Sequence, residues 1–349
     1  MRRASWILGS VSVLLVATGA VSKFAVYPEL HQMPDDAKGT MHFQGTLTAL
    51  DPAAVQKGDL AHAVTRDLPV TADRTVKAVK TSGSTIVLND HTDLYGQQRA
   101  LVSISEHQYA VDRRDLMEKA TPKGVNAEPH RGLSAGFPLS PKAHDYPFWD
   151  AETQTTGTAA YTGTTHRQGR EVYVFRITAA GPLQDPTMKG ALPPAMPKTA
   201  LAALNPQAPL GSQPDVVPLA YTSLTDMTAY IDSETGVTIA LDSHKSVTAV
   251  LPGEPKVELF PVADAKLSTT KASEKDLADT ASTGALVFWL LSDAGPYAVW
   301  ALALALLLLA YWLERRHRRA AVTDTDPLDD GQVPGQRSDT AESAPHEQR

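Results

Sequence analysis

Charge vanishes from two stretches of the chain. Trp6 to Ser22 (WILGSVSVLLVATGAVS) carries none, with Arg2 and Arg3 before it and Lys23 after it. The apolar character runs on through Phe24, Ala25, Val26 and Tyr27. A helix rises about 1.5 Å per residue, so about 20 residues cross a bilayer core. Residues 5–27 therefore read as a transmembrane helix, with Lys23 reaching for the headgroups. The rival reading is a cleaved signal peptide, with Arg2 and Arg3 as its basic start and Thr18-Gly19-Ala20 as its cleavage site. The apolar run continues past that site, which favours the anchor. Either reading exports the residues beyond it. Pro296 to Leu313 (PYAVWALALALLLLAYWL) is also uncharged, enough for about 27 Å of helix. Tyr297 and Trp300 near one end and Tyr311 and Trp312 near the other suit an interfacial aromatic belt. The run stops at Glu314-Arg315-Arg316-His317-Arg318-Arg319, and basic clusters mark the cytoplasmic side. Arg2 and Arg3 put residues 1–4 on that same side. The polar tail 314–349 is expected to be cytoplasmic and disordered.

Between the two stretches the pattern alternates as strands do. Met41, Phe43 and Leu47 begin it. Thr75 to Val79 and Thr85 to Leu88 flank a Ser82-Gly83-Ser84 turn, and Asn89-Asp90 ends the run. Leu101 to Ile104 and Gln108 to Val111 read as further short strands. Thr158 to Phe175 is the cleanest hairpin. Within it, Tyr173 and Phe175 share a side with Glu171, while Val172 and Val174 share the other, so both faces have something to bury. Residues 28–181 thus form a β-rich lobe. Residues 182–218 hold nine prolines among alanines, from Pro182 to Pro218, and read as an irregular linker with a short helix near Lys198 to Leu204. Strand patterns return over 219–271, at Met227 to Asp232, Val237 to Leu241 and Ser246 to Leu251. The hairpins at 77–90 and 228–241 resemble each other. Residues 272–291 read as an amphipathic helix, capped by Ser273 with Asp276, its stripe formed by Leu277, Ala281, Ala285 and Phe288. Ser292-Asp293-Ala294-Gly295 is expected to break it before the membrane helix 296–313.

Composition narrows the classes. The chain has 349 residues, 42% hydrophobic and 20% charged, with a formal net charge of −7. That balance argues against a general nucleic-acid binder, which needs a basic face. There is no cysteine. Disulfides, thiolate nucleophiles, cysteine-zinc sites and iron–sulfur clusters are therefore excluded. A domain of this size can still be exported and fold without staples.

Candidate chemistry is sparse. Gly132-Leu133-Ser134-Ala135-Gly136 matches G-x-S-x-G, but Pro129 precedes it and Phe137-Pro138 follows, which suits a glycine loop better than a strand–nucleophile–helix elbow. His144, Asp145 and Asp150 could bind a metal, although a polar loop between aromatic anchors fits them better. Asp112-Arg113-Arg114-Asp115 reads as turn capping and ion pairing at a strand end. The stretch from Phe137 to Asp150 packs aromatics between prolines, either as core anchors or as a platform for an apolar or glycan ligand. No catalytic, cofactor-binding or metal-binding residue is assigned, and no cofactor is expected.

Several short blocks, in this order, resemble the PorA family of actinobacterial membrane proteins. They are Tyr109-Ala110-Val111-Asp112-Arg113, Gly136-Phe137-Pro138, Tyr146-Pro147-Phe148-Trp149-Asp150, Tyr161-Thr162-Gly163, Gly169 and Val172-Tyr173-Val174-Phe175. The resemblance spans nearly the whole chain from Arg2 to the second apolar stretch, with the proline-rich part as an insertion. It supplies no catalytic residues. The family label implies a porin, whose wall is a closed barrel of strands with an outward apolar band. Here the crossing segments are helical, and two per chain enclose a pore only by oligomerising.

The expected fold class is α+β: two transmembrane helices flanking a large β-rich extracytoplasmic domain, with short hairpins and a proline-rich insertion. The expected function is that of a two-pass, non-enzymatic cell-envelope protein that binds or carries lipid or a partner protein. An oligomeric channel is the alternative, and an envelope hydrolase ranks last. The expected partners are the bilayer and an envelope lipid, glycan or protein, with no nucleic acid.

Overall fold

The alternating stretches become long strands. A computed structural model describes residues 2–60, 63–253 and 257–322. Twelve strands occur among these residues: β1 (Lys38–Leu50), β2 (Val64–Ser82), β3 (Thr85–Tyr95), β4 (Leu101–Asp112), β5 (Tyr146–Asp150), β6 (Thr155–Arg167), β7 (Arg170–Pro182), β8 (Ala195–Pro197), β9 (Val216–Pro218), β10 (Ala220–Asp232), β11 (Thr238–Leu251) and β12 (Val257–Thr269). Ten of them form one sheet in the order β4-β3-β2-β1-β12-β11-β10-β7-β6-β5. Every neighbouring pair is antiparallel. The last long strand returns to the first, with Phe43 opposite Thr269 and Leu47 opposite Ala265. The curled sheet belongs to an α+β fold.

Two expectations change here. The parts at 28–181 and 219–271 are not separate lobes, because β1 and β7 both pair with the later strands. The strands are also longer than the sequence suggested: β2 alone has 19 residues. Leu101 to Ile104 and Gln108 to Val111 lie in one strand, as do Val247 and Leu241. Polar residues such as His107, Ser243 and Lys245 interrupt the apolar alternation without ending the hydrogen-bond ladder.

Alternation sorts the faces as expected for one wet side. On β1, Met41, Phe43 and Leu47 are buried, while His42 and Gln44 are exposed. The main core gathers Phe43, Ile86, Leu88, Tyr109, Phe137, Tyr146, Phe175 and Ile231. Strand β7 buries both faces, as read from sequence. Phe175 enters the main core, and Val172 packs with Ile239, Ala278 and Ala281.

Seven α-helices accompany the strands among the described residues: α1 (Arg2–Val21), α2 (Tyr27–Leu30), α3 (Pro52–Lys57), α4 (Pro186–Gly190), α5 (Lys198–Leu204), α6 (Lys271–Trp289) and α7 (Gly295–Val322). The proline-rich stretch is not a linker. It folds into α4, β8, α5 and β9, and Leu183, Met196, Leu201, Leu210 and Val217 bury into a second core with Tyr221, Val247, Ala249 and Phe260. Prolines there end short elements; Pro197 stands immediately before α5, and Pro218 pairs with Ala195. Helix α6 is capped by Thr270, whose hydroxyl accepts from the Ser273 amide. Ser273 itself accepts from the His42 amide at 3.1 Å. The cap therefore falls three positions before the expected one.

The expected break at Ser292 to Gly295 is a π-helical turn, Leu290–Ala294, that leads straight into α7. A second π turn, Ser22–Val26, joins α1 to α2. Each is followed two residues later by a proline, Pro296 or Pro28. Proline lacks an amide hydrogen and crowds the carbonyl four residues back, and a widened turn relieves that crowding without ending the helix. Lys23 lies 4.0 Å from Asp293 across the two π turns. Ser10–Glu29 and Lys271–Arg316 are long and apolar enough to cross a membrane, with only 11% and 17% of their apolar windows buried. A soluble core helix would be mostly buried.

The chain divides into two compact units, Met1–Gly19 with Tyr297–Arg349, and Ala20–Pro296. In the first, Trp300 packs on α1. Its indole N–H donates to the Val16 carbonyl at 3.2 Å, and a Cβ on Gly19 would collide with that nitrogen. Small residues at helix pairs allow such close approach. Trp300, which the sequence predicts for the interfacial belt, also holds the helix pair. Helix α7 runs on to Val322, so residues 314–322, expected to begin a disordered tail, continue the helix; the rest of the expected tail, 323–349, lies outside the described residues.

Candidate functional site

Curling leaves two free strand edges, β4 and β5, and the segment between them (113–145) hydrogen-bonds to both. On the β4 side, the Lys119 amide donates to Ala110 and the Glu128 amide to Gln108. On the β5 side, the Leu133 amide donates to Pro147 at 2.9 Å and the Trp149 amide to Leu133 at 2.7 Å. Protected edges cannot template aggregation. The G-x-S-x-G motif lies in this strap. Gly132 has φ +82°, and a Cβ there would run into the Pro147 carbonyl oxygen. Only glycine adopts that conformation against β5 without strain.

A cavity of about 240 Å³ opens inside the sheet. Phe43, Ala72, Phe137, Phe148, Trp149, Ile177, Met227, Ala229, Leu241 and Leu267 supply its apolar wall. Its charged lining groups are Arg74, Asp90, His107, Asp150, Glu152 and Lys245. The inward register of the strands brings most of them together, and the turn after β5 adds Glu152. On adjacent strands Arg74 stands opposite Thr92, and Asp90 opposite His107. Arg74 grips Asp90 with two hydrogen bonds, 2.8 and 2.5 Å. Lys245 reaches the Glu152 carboxylate at 2.5 Å. Asp150, which is 3% exposed, accepts from the Thr153 hydroxyl at 2.6 Å and from the Thr225 hydroxyl at 2.7 Å.

These contacts set the charge states. Burial opposes the Lys245 charge, but Glu152 and Asp150 outweigh it and hold the ammonium above the ordinary lysine range. Burial pushes the Asp150 carboxyl up, yet the Thr153 and Thr225 hydroxyls and Lys245 keep it below the usual carboxylate value. His107 is raised by its hydrogen bond to Glu128, 3.0 Å away. Burial pushes the Tyr109 phenol well above its normal range. Two polar atoms on lining residues, Ser134 Oγ and Glu152 Oε2, are buried without a hydrogen-bond partner among the described residues.

The residues singled out in sequence separate into two groups. Ser134, Asp150 and the aromatics Phe137, Phe148 and Trp149 line the cavity, whereas His144 and Asp145 do not. His144 is exposed and lies 4.3 Å from the Tyr146 ring, centroid to centroid. Its Nδ1 donates to the Asp145 carbonyl at 2.7 Å. Asp145 accepts from the Tyr161 amide at 2.8 Å. The metal reading of His144, Asp145 and Asp150 is thereby dispersed, and no group of three metal-ligating side chains forms among the described residues. Asp112 to Asp115 behaves as read: Asp112 caps the Arg114 amide at 2.9 Å and pairs with Lys119, and Asp115 caps Met117. Arg113 adds a bridge to Asp35 at 2.8 Å. Arg74, Asp90, His107, Glu152 and Lys245 were missed. For the four on strands the signal is a charged residue on the apolar register, such as Arg74 between Ala72 and Val76; Glu152, in the turn between β5 and β6, has no such signal.

The fold and site define a class: an α+β protein with two helices able to cross a membrane and a curled sheet around a polar-and-apolar cavity. The family model described as Porin PorA matches residues 4–312, and the chain belongs to that family. No curated protein sequence matches it. Among solved structures it is similar to a conserved hypothetical protein of Mycobacterium tuberculosis with a double hotdog fold, at 10% identity and TM-score 0.16, covering 74% of this chain and 80% of that one. A MaoC domain dehydratase of Chloroflexus aurantiacus matches at 12% identity and TM-score 0.14, covering 74% and 80%. Scores this low carry no argument about fold or activity.

Proposed function

We propose that the chain is a two-pass protein of the cell envelope, with both termini in the cytoplasm. Its β-rich domain faces outward and acts without catalysis, holding part of a lipid or other amphiphile in the sheet cavity. The observation that carries this reading is the cavity itself, with apolar rings and buried polar atoms lacking a partner among the described residues in one lining. Ligand pockets combine those features. The outward face of β1 is polar, the reverse of a lipid-facing porin strand, which supports a domain in water.

The test is mass spectrometry of lipids that co-purify with the full chain from native membranes, against an Ala135→Phe variant that narrows the cavity. Retention by the parent and loss from a folded variant supports the reading. Equal lipid content in both overturns it. The second reading, an oligomeric channel, is favoured by the family match. Conductance of the purified protein in planar bilayers would support it.

A further inference from the structure

The cavity's hydrogen-bonding inventory narrows what it can take, and this step rests on the binding reading above. Lys245 and Arg74 are donors only. Asp90, Asp150 and Glu152 are acceptors, and Ser134 is both. An anionic headgroup would meet three carboxylates. A quaternary ammonium would meet Arg74, Lys245 and the imidazole of His107, and could form no hydrogen bond with Ser134 Oγ or Glu152 Oε2. A charge of either sign thus meets lining groups of its own sign, while Arg74–Asp90 and Lys245–Glu152 are already paired with each other and the threonine hydroxyls hold Asp150. A hydroxyl group both donates and accepts, so it can donate to Glu152 Oε2 and exchange a bond with Ser134.

Size agrees with a small unit. The cavity, about 240 Å³, falls below the roughly 300–1,000 Å³ of ordinary ligand pockets. It has room for one ring or a short polyol, not for an entire two-chain lipid. Trp149 and Phe148 add aromatic surface to the lining, of the residue type that packs on the C–H face of a ring.

We infer that the cavity binds a neutral, hydroxyl-rich headgroup the size of one sugar or polyol unit, read by Glu152, Ser134 and Lys245. The Ser134 hydroxyl, only 8% exposed and without a partner among the described residues, has no structural bond to lose. This makes Ser134→Ala a clean probe.

The experiment uses the full chain in phosphatidylcholine nanodiscs, with empty discs as the blank, and saturation-transfer NMR with amphiphiles of identical tail. The probes are octyl β-glucoside, octyl sulfate, octyltrimethylammonium and octanol. The inference expects octyl glucoside to bind at least about ten-fold more tightly than either charged probe. Ser134→Ala and Glu152→Gln should each weaken it about three- to ten-fold, the value of one lost hydrogen bond. An unchanged thermal midpoint for Ser134→Ala separates this loss from unfolding. Equal binding of all four probes overturns the headgroup inference and leaves the amphiphile reading standing. Preference for octyl sulfate or octyltrimethylammonium has the same effect. Binding of none overturns both.

Discussion

Lys245 and Glu152 are 93 positions apart in sequence and meet at 2.5 Å on the cavity wall. The lysine keeps 41% of its side-chain surface open and the glutamate 16%. The pair therefore sits between an exposed ion pair and a dry one. In a double-mutant cycle with Lys245→Met and Glu152→Gln, the expected coupling energy is about 1–2 kcal/mol. Chemical denaturation of the four proteins measures it. Zero coupling would show that the cavity screens the pair as bulk water does.

Arg170 and Asp232 form a drier pair, with Asp232 fully buried and held at 2.8 and 3.1 Å. Thr235 adds its hydroxyl and amide to the same carboxylate. Arg170→Ala leaves that charge uncompensated, at an expected cost of about 3–5 kcal/mol. Burial pushes the Asp232 carboxyl up, but Arg170 and Thr235 outweigh it and hold it low. Its stabilisation is therefore present above about pH 3.9 and is lost as pH falls through the lower folded value. Thermal scans from pH 5 downward should show the midpoint falling in the parent and falling less in Asp232→Asn.

The strap should be most secure near neutrality. His107 is raised by Glu128, so its contribution is complete below the unfolded value of about 6.5 and is lost as pH rises through its higher folded value. His130 is lowered by burial, so the unfolded chain protonates first and its contribution is lost as pH falls below about 6.5. Hydrogen exchange of residues 125–134, corrected for intrinsic rates, should pass through a minimum near pH 6.5. His107→Gln should flatten the alkaline limb alone.

Gly132 carries the strap's junction with β5. Alanine there meets both the left-handed φ and the Pro147 carbonyl, so Gly132→Ala is expected to destabilise by about 1–3 kcal/mol. Gly190, where an added methyl group would meet open space, should accept alanine without comparable loss. Thermal midpoints of the two variants decide between a local requirement and a general intolerance of substitution.

The absence of cysteine makes the proposed topology directly testable. A single cysteine replacing exposed Lys189 should react with a membrane-impermeant maleimide on intact cells. One replacing Ser343 should react only after lysis. Reversal of the two would overturn the orientation.

Much of this was legible in the chain. The uncharged runs at 6–22 and 296–313 announced two long apolar helices, because loss of charge over that length has few other uses. Strict alternation at Glu171 to Phe175 announced a strand buried on both faces. The G-x-S-x-G glycines read correctly as a loop, because the flanking prolines exclude the strand and helix of an elbow.

Local pattern determined which segments are strands, which are apolar helices, and where glycine turns fall, since those depend on neighbours a few residues away. Only the tertiary structure decided that the two β-rich parts share one sheet, because strand pairing between β1 and β12 joins residues more than two hundred positions apart and leaves no local signature. The same holds for the cavity. Arg74, Asp90 and Lys245 look like isolated charges along the chain, and become one site only when sheet curvature turns their strand faces inward and the turn after β5 brings Glu152 to Lys245.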